Sequence, residues 1–277
     1  MGKLTKAGIL ALALSLSLAA LVAAGPREDA AAAYRRGDYG VAFRLWRPLA
    51  EQGDARAQAE LGWMYNTGEG VAQNRVQAAS WYRKAADQGL ADAQTHLGLM
   101  YQYAQGVPQD YVQAVSWFGK AADQGEPVAQ YSLGYMYQYA QGTTQDYVQA
   151  ARWYRKAADQ GDALAQAALG SRYEYGQGVP QDDVQAVSWY RKAADQGDLR
   201  GQLSLGLMYE HGRGITRDYV QAYKWVNLVA VHFVPPSDRS GTLQREIAVS
   251  ARDEIAAKMT PAQVAEAERL ARDWKPK

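Results

Sequence analysis

The sequence predicts an all-α fold: a right-handed α-solenoid of stacked antiparallel helix pairs with 36-residue repeats. Three series carry the prediction. A glycine returns at Gly53, Gly89, Gly125, Gly161 and Gly197. A tryptophan returns at Trp81, Trp117, Trp153, Trp189 and Trp225, and a Leu-Gly pair at Leu61, Leu97, Leu133, Leu169 and Leu205. All three keep a constant step of 36 residues. A unit of that length cannot hide its apolar face alone and does so by stacking on its neighbours.

The elements follow in order. Lys3 and Lys6 precede an uncharged apolar run from Ala7 to Ala24, and Gly25-Pro26 ends it. A basic head, an apolar stretch and small residues at the end fit a secretory signal peptide over 1–24. The alternative is a retained anchor, since 18 apolar residues lie at the low end of a membrane span. Residues 25–53 contain GDYGVAFRLWRPLAEQ and are expected to form a capping helix pair. Five repeats follow at 54–89, 90–125, 126–161, 162–197 and 198–233, and capping helices are expected over 234–277.

Each repeat reads as two helices. In the fourth, Asp162 is placed to cap a first helix reaching Tyr173, and GQGVPQ stops it. Asp182 opens the second helix, with Gln185 three residues later in a capping-box spacing that recurs at Asn74, Asp110, Asp146 and Asp218. Ala186, Trp189 and Ala193 form an apolar stripe, and Gly197 closes the helix. The mid-helix glycines at 62, 98, 134, 170 and 206 each cost about 1 kcal/mol against Ala, which implies a close neighbour there. The Trp is expected to cover that contact. Beyond Pro235–Asp238 a helix is expected from about Gly241 to Lys258. Thr260, Pro261 and Gln263 then start a last helix that docks through Leu270 and Trp274.

Composition narrows the function classes. The chain holds 48% apolar and 21% charged residues, with a formal net charge of +1. That balance gives no electrostatic reason to expect nucleic acid as partner. There is no Cys, so no disulfide staples an exported fold and no thiol is available for lipidation. His96, His211 and His232 are the only imidazoles, and none has metal-ligand spacing. HExxH, GxSxG and Walker motifs are absent. No catalytic residue, metal or cofactor is expected. The recurrent Asp residues read as helix caps, and the Lys of each KAAD run as a solvated helix end that favours the dipole.

LGxMY, GxGVPQD, VQAxxWYRKAA and the closing QG together resemble the Sel-one-like repeat, a relative of the tetratricopeptide repeat. The resemblance covers residues 54 to about 230. Two places depart from it: Arg172 stands where the other units carry Met, and no Gly stops the helix at Phe233. The resemblance implies a noncatalytic scaffold or adaptor that binds partner proteins along its concave face, which the first helices line in the tetratricopeptide family. Some exported proteins that resemble this family are linked to β-lactam binding, but they are cysteine-rich and this chain has no Cys.

Positions that differ between copies are free of the shared packing frame and are the candidates for recognition. They include Ala59, Thr95, Tyr131, Ala167 and Leu203, and then Trp63, Leu99, Tyr135, Ser171 and Leu207. Tyr103, Tyr139 and Tyr175 form a row near the first loop, with His211 in the next place. The candidate partner-binding residues are therefore Trp63, Tyr103, Tyr131, Tyr135, Tyr139, Arg172, Tyr175 and His211. The expected partners are proteins of the bacterial cell envelope, in a periplasmic or secreted setting. The alternative is peptidoglycan or polysaccharide, with sugars stacked on the tyrosine rows. Membrane contact is expected only through an uncleaved signal segment.

Overall fold

The computed structural model describes residues 25–231 and 239–276. The signal segment at 1–24, His232, Phe233 and the turn at Pro235–Asp238 lie outside the described residues. Every described element is an α-helix, and within each unit most helices pack against the next in the chain. The chain divides into two compact units.

The first unit runs to Ala93 and includes Gln105–Val107. It holds α1 (Pro26–Arg35), α2 (Tyr39–Glu51), α3 (Ala55–Thr67) and α4 (Arg75–Asp87). Its core joins the small faces of α1 and α2, Ala30, Ala33 and Ala42, to Trp46, Leu61 and Met64. The unit also begins α5 (Ala91–Gln102). The second unit covers Gln94–Ala104 and the chain from Pro108. Its helices are the rest of α5, then α6 (Tyr111–Asp123), α7 (Pro127–Gln138), α8 (Tyr147–Asp159), α9 (Ala163–Tyr175), α10 (Asp183–Asp195), α11 (Leu199–His211) and α12 (Tyr219–Ala230). Two further helices, α13 (Arg239–Ala256) and α14 (Pro261–Arg272), both pack against α12.

Helix starts follow the sequence with one correction. Asp162 accepts from the Ala165 N–H at 2.7 Å, and Asp182 from the Gln185 N–H at 2.9 Å. At the second helices the half of the expected box that forms is the Asp or Asn cap accepting from the backbone N–H of the Gln three residues on. The full box forms at Thr260, whose N–H donates to Gln263 Oε1 at 2.8 Å while its hydroxyl accepts from the Gln263 N–H. The first helix of the fourth repeat runs to Tyr175, two residues beyond the expected stop. It ends where Gly176 takes φ +63°, a left-handed cap that glycine adopts without strain.

The mid-helix glycines do receive a close neighbour, but it is not the tryptophan. A Cβ built on Gly170 would lie 2.7 Å from the Tyr190 ring, one on Gly134 2.8 Å from Tyr154, and one on Gly98 2.6 Å from Phe118. In each case the contact is the residue after the Trp, because one step of about 100° around the helix turns it toward the partner helix of its own repeat. The tryptophan faces the other seam. Trp189 packs with Ala150, Tyr154 and Leu169, and Trp225 with Ala186 and Tyr190. The Lys of each KAAD run lies over that indole, with Nζ 3.8 Å from the ring centroid at Trp117, Trp153 and Trp189. It is therefore a cation–π partner as well as a helix-end charge.

A glutamine ladder joins the repeats. The Gln160 amide donates to Gly125 O at 3.0 Å and Gln130 Oε1 at 2.8 Å, and the Gln130 amide donates to Ala122 O at 3.1 Å. Gln196 and Gln166 repeat the pattern one unit on, donating to Gly161 O, Gln166 Oε1 and Ala158 O. Gln130 and Gln166 are buried, so the ladder satisfies polar groups that burial otherwise penalises.

The C-terminal helices close the second unit. Ala248, Ile255 and Ala267 pack on Tyr223, Val226 and Val229 of α12. Trp274 meets Trp225 edge to face with ring centroids 6.0 Å apart, which supports the docking expected of it. Lys258 donates to the buried Glu210 carboxylate at 2.7 Å.

Candidate partner-binding cleft

One cleft of about 320 Å³ opens in the second unit, between the first helices of three successive repeats, α7, α9 and α11. Its origin is a difference between the copies. Tyr131 and Tyr135 of α7 stand on one wall, while the matching positions of α9 hold Ala167 and Ser171. Two rings are present in one repeat and missing in the next, and Leu203 of α11 stands on the far side. The cleft is the space those two rings would fill.

The aromatic wall is preorganised. Tyr135 and Tyr139 pack with ring centroids 4.4 Å apart, and Tyr131 lies 5.6 Å from Tyr154. The Tyr154 hydroxyl donates to Gln138 Oε1 at 2.8 Å. Desolvation by burial pushes the phenols of Tyr135, Tyr154 and Tyr190 up, so these rings present neutral hydroxyls at ordinary pH. Tyr139 and Tyr175 stand at the rim, more than half exposed.

The polar wall carries two guanidiniums and one acid. Glu174 accepts from the Tyr190 hydroxyl at 2.7 Å and from Arg213 Nη1 at 2.9 Å, and Arg213 also donates to Asp183 at 3.0 Å. Arg200 Nη2 donates to the Tyr131 hydroxyl at 3.5 Å. Burial works against the Arg200 charge, but Tyr131 and Asp198 outweigh it and raise its pKa. Arg172 is 5% exposed, and its Nη2 makes a long 3.4 Å contact to Ser171 Oγ.

Of the eight candidate residues, five line this cleft: Tyr131, Tyr135, Tyr139, Arg172 and Tyr175. Tyr103 belongs to the same unit and feels the field of Tyr131 and Tyr111, but it does not line the cleft. His211 ends α11, 3.9 Å from Glu210, and does not line the cleft. Trp63 belongs to the first unit, where its indole N–H donates to the Tyr34 hydroxyl at 2.8 Å. The candidate row therefore divides, and its even 36-residue spacing does not mean one shared surface.

Sequence reasoning missed Arg200, Glu174 and Gln244 of α13, which also line the cleft. Glu174 had a signal: matching positions hold Gln102, Gln138 and Glu210, a polar residue repeated inside a helix that is otherwise packed. Gln244 had none, since it reaches the cleft from outside the repeats. Among the described residues no group of three His, Asp or Glu could hold a metal ion. No described helix is long and apolar enough to cross a membrane.

Comparison with known proteins bears on this architecture. The family profile described as Sel1 repeat matches residues 30–54, 55–90, 91–126, 127–162, 163–198 and 199–228. The first match falls on α1 and α2, so that pair is a shortened repeat in its own right. A Sel1 repeat protein from Oxalobacter formigenes is similar at 31% identity and a TM-score of 0.74, over 90% of this chain and 97% of that one. The protective antigen c5321 of uropathogenic Escherichia coli, which displays an SLR fold, is similar at 29% identity over 85% of this chain and 64% of that one, with a TM-score of 0.42. The immunity protein Pa5087 of Pseudomonas aeruginosa is similar at 23% identity and a TM-score of 0.45, with 83% of each chain covered. A search of the curated proteins finds no match. Sel1 repeat proteins generally mediate protein–protein interaction. With six matched repeats spanning most of its length, this chain belongs to the Sel1 repeat family.

Proposed function

We propose that this protein is a noncatalytic scaffold of the bacterial cell envelope that docks an extended segment of a partner protein in the tyrosine-lined cleft of its second unit. The observation that carries the reading is the loss of two rings at Ala167 and Ser171 beside the tyrosine wall of Tyr131, Tyr135 and Tyr139. Packing does not fix these positions, since the five repeats hold Ala, Thr, Tyr, Ala and Leu at one and Trp, Leu, Tyr, Ser and Leu at the other. Rigid aromatic rings with polar tips, next to a partly desolvated Arg, are the composition that dominates protein-binding hot spots. The envelope setting rests on the basic head and apolar run of residues 1–24.

The test is capture of binding proteins from envelope extract by the purified protein. Replacing Tyr131, Tyr135, Tyr139 and Arg172 together by Ala is expected to abolish capture of the main partner while the helical circular dichroism is retained. Undiminished capture by the folded variant would place the docking surface elsewhere. Retention of the wild type on protein-free peptidoglycan, lost in the same variant, would replace the protein partner by a polysaccharide.

A further inference from the structure

Arg172 occupies a place that the fold otherwise gives to methionine. Met64, Met100, Met136 and Met208 stand at the matching positions and are 0–2% exposed. The guanidinium is buried to nearly the same degree without the partners a buried cation needs. Nε and Nη1, which carry three of its five N–H bonds, have no hydrogen-bond partner. Nη2 has only the 3.4 Å contact to Ser171, and the Tyr147 ring lies 5.5 Å from Cζ.

No acid among the described residues forms an ion pair with it. Glu174, the acid of the same wall, is already held by Arg213 and Tyr190. Arg200, the other guanidinium of the cleft, has the Tyr131 hydroxyl as a hydrogen-bond partner at 3.5 Å. Arg172 is therefore the guanidinium of this cleft with buried, unpartnered nitrogens, beside open space of about 320 Å³.

We propose that the cleft is a carboxylate site: Arg172 receives a single carboxylate from the docked segment, with Tyr139 and Tyr175 covering the residues on either side. The inference rests on the reading that this cleft docks a partner segment. A guanidinium is the side chain best matched to a planar carboxylate, through charge-assisted hydrogen bonds that strengthen once water is excluded. One unpartnered guanidinium matches a monoanion. A phosphate dianion would bring a second negative charge against Glu174 in the same wall. The volume suits a chain end or one acidic side chain rather than a large cofactor.

The experiment uses an array of randomised nonapeptides, each made as the free acid and as the C-terminal amide. Every Asp- or Glu-containing member is also made with Asn or Gln, and a phosphoserine series is included. Peptides retained by the wild type are expected to weaken at least tenfold when the carboxylate is neutralised. Loss on amidation assigns the chain end, and loss on Asp or Glu replacement assigns a side chain. Arg172→Met, shown to be folded by circular dichroism, is expected to lose the same factor for the acids and to bind the neutral peptides as the wild type does. Equal binding of acids and amides would overturn the carboxylate assignment and leave the docking cleft standing, as would an unchanged acid preference in Arg172→Met. Preference for phosphoserine would also overturn it, in favour of phosphate. Retention of no peptide at all would remove the docking reading along with it.

Discussion

Arg172→Met is expected to stabilise the protein by about 1–4 kcal/mol, read as a later urea midpoint with an unchanged slope. The sign is unusual for a substitution at a position only 5% exposed. It follows because the native residue, not the replacement, is the exception. Met136 and Met208 show that the frame accepts a thioether there with almost no exposure. The exchange removes a guanidinium whose Nε and Nη1 lack partners. What it loses in return is the long bond to Ser171 and a distant ring face at Tyr147. Arg172→Lys should bring no such gain, since it keeps the buried charge and makes it a more strongly hydrated one. An earlier midpoint for the Met variant would mean that the native cation is satisfied in the absence of any ligand.

Phe118→Ala is expected to act in the opposite direction, with a loss of about 3–5 kcal/mol in the same measurement. Phe118 is fully buried, and its ring is the surface against which the glycine of its repeat packs. Removing it leaves a void that Gly98 has no side chain to fill. Phe118→Tyr is the control. Tyr occupies the matching place at 154 and 190, where its hydroxyl donates to Gln138 or Glu174. The buried Gln102 stands at the corresponding position of the second repeat and offers the same acceptor. The Tyr variant should therefore stay within about 1.5 kcal/mol of wild type. A loss from Phe118→Tyr as large as that from Phe118→Ala would contradict the shared packing frame.

Much of the fold was legible because its constraints recur. A capping Asp, a loop glycine or a mid-helix glycine found once is ambiguous, while the same residue at a fixed step of 36 identifies a position in a repeat. The assignment of neighbours was less legible. The Trp was the conspicuous residue and was expected to cover the glycine, but the helix turns Tyr154, Tyr190 or Phe118 to it instead. The glutamine ladder shows a similar gap. Gln58, Gln94, Gln130, Gln166 and Gln202 are as regular as the tryptophans, yet a polar residue inside an apolar stripe reads as surface until its backbone partners in the preceding repeat are known. At the cleft, contrast between copies found Tyr131, Tyr135, Arg172 and the small residues opposite them. It could not find Gln244, because α13 belongs to no repeat. It also grouped Trp63 and His211 with the rest, since periodicity fixes a residue's place within a repeat and not the cavity it lines.

The cleft exists because α9 lacks the two rings that α7 carries, and that claim is tested most directly by putting them back. In the variant Ala167→Tyr, Ser171→Tyr, the rings stand where Tyr131 and Tyr135 show that the frame accepts them. The measurement is capture of the partner protein from envelope extract by this variant, alongside its helical circular dichroism. The account predicts a folded protein that no longer captures the partner. A folded variant with filled positions and undiminished capture would contradict it.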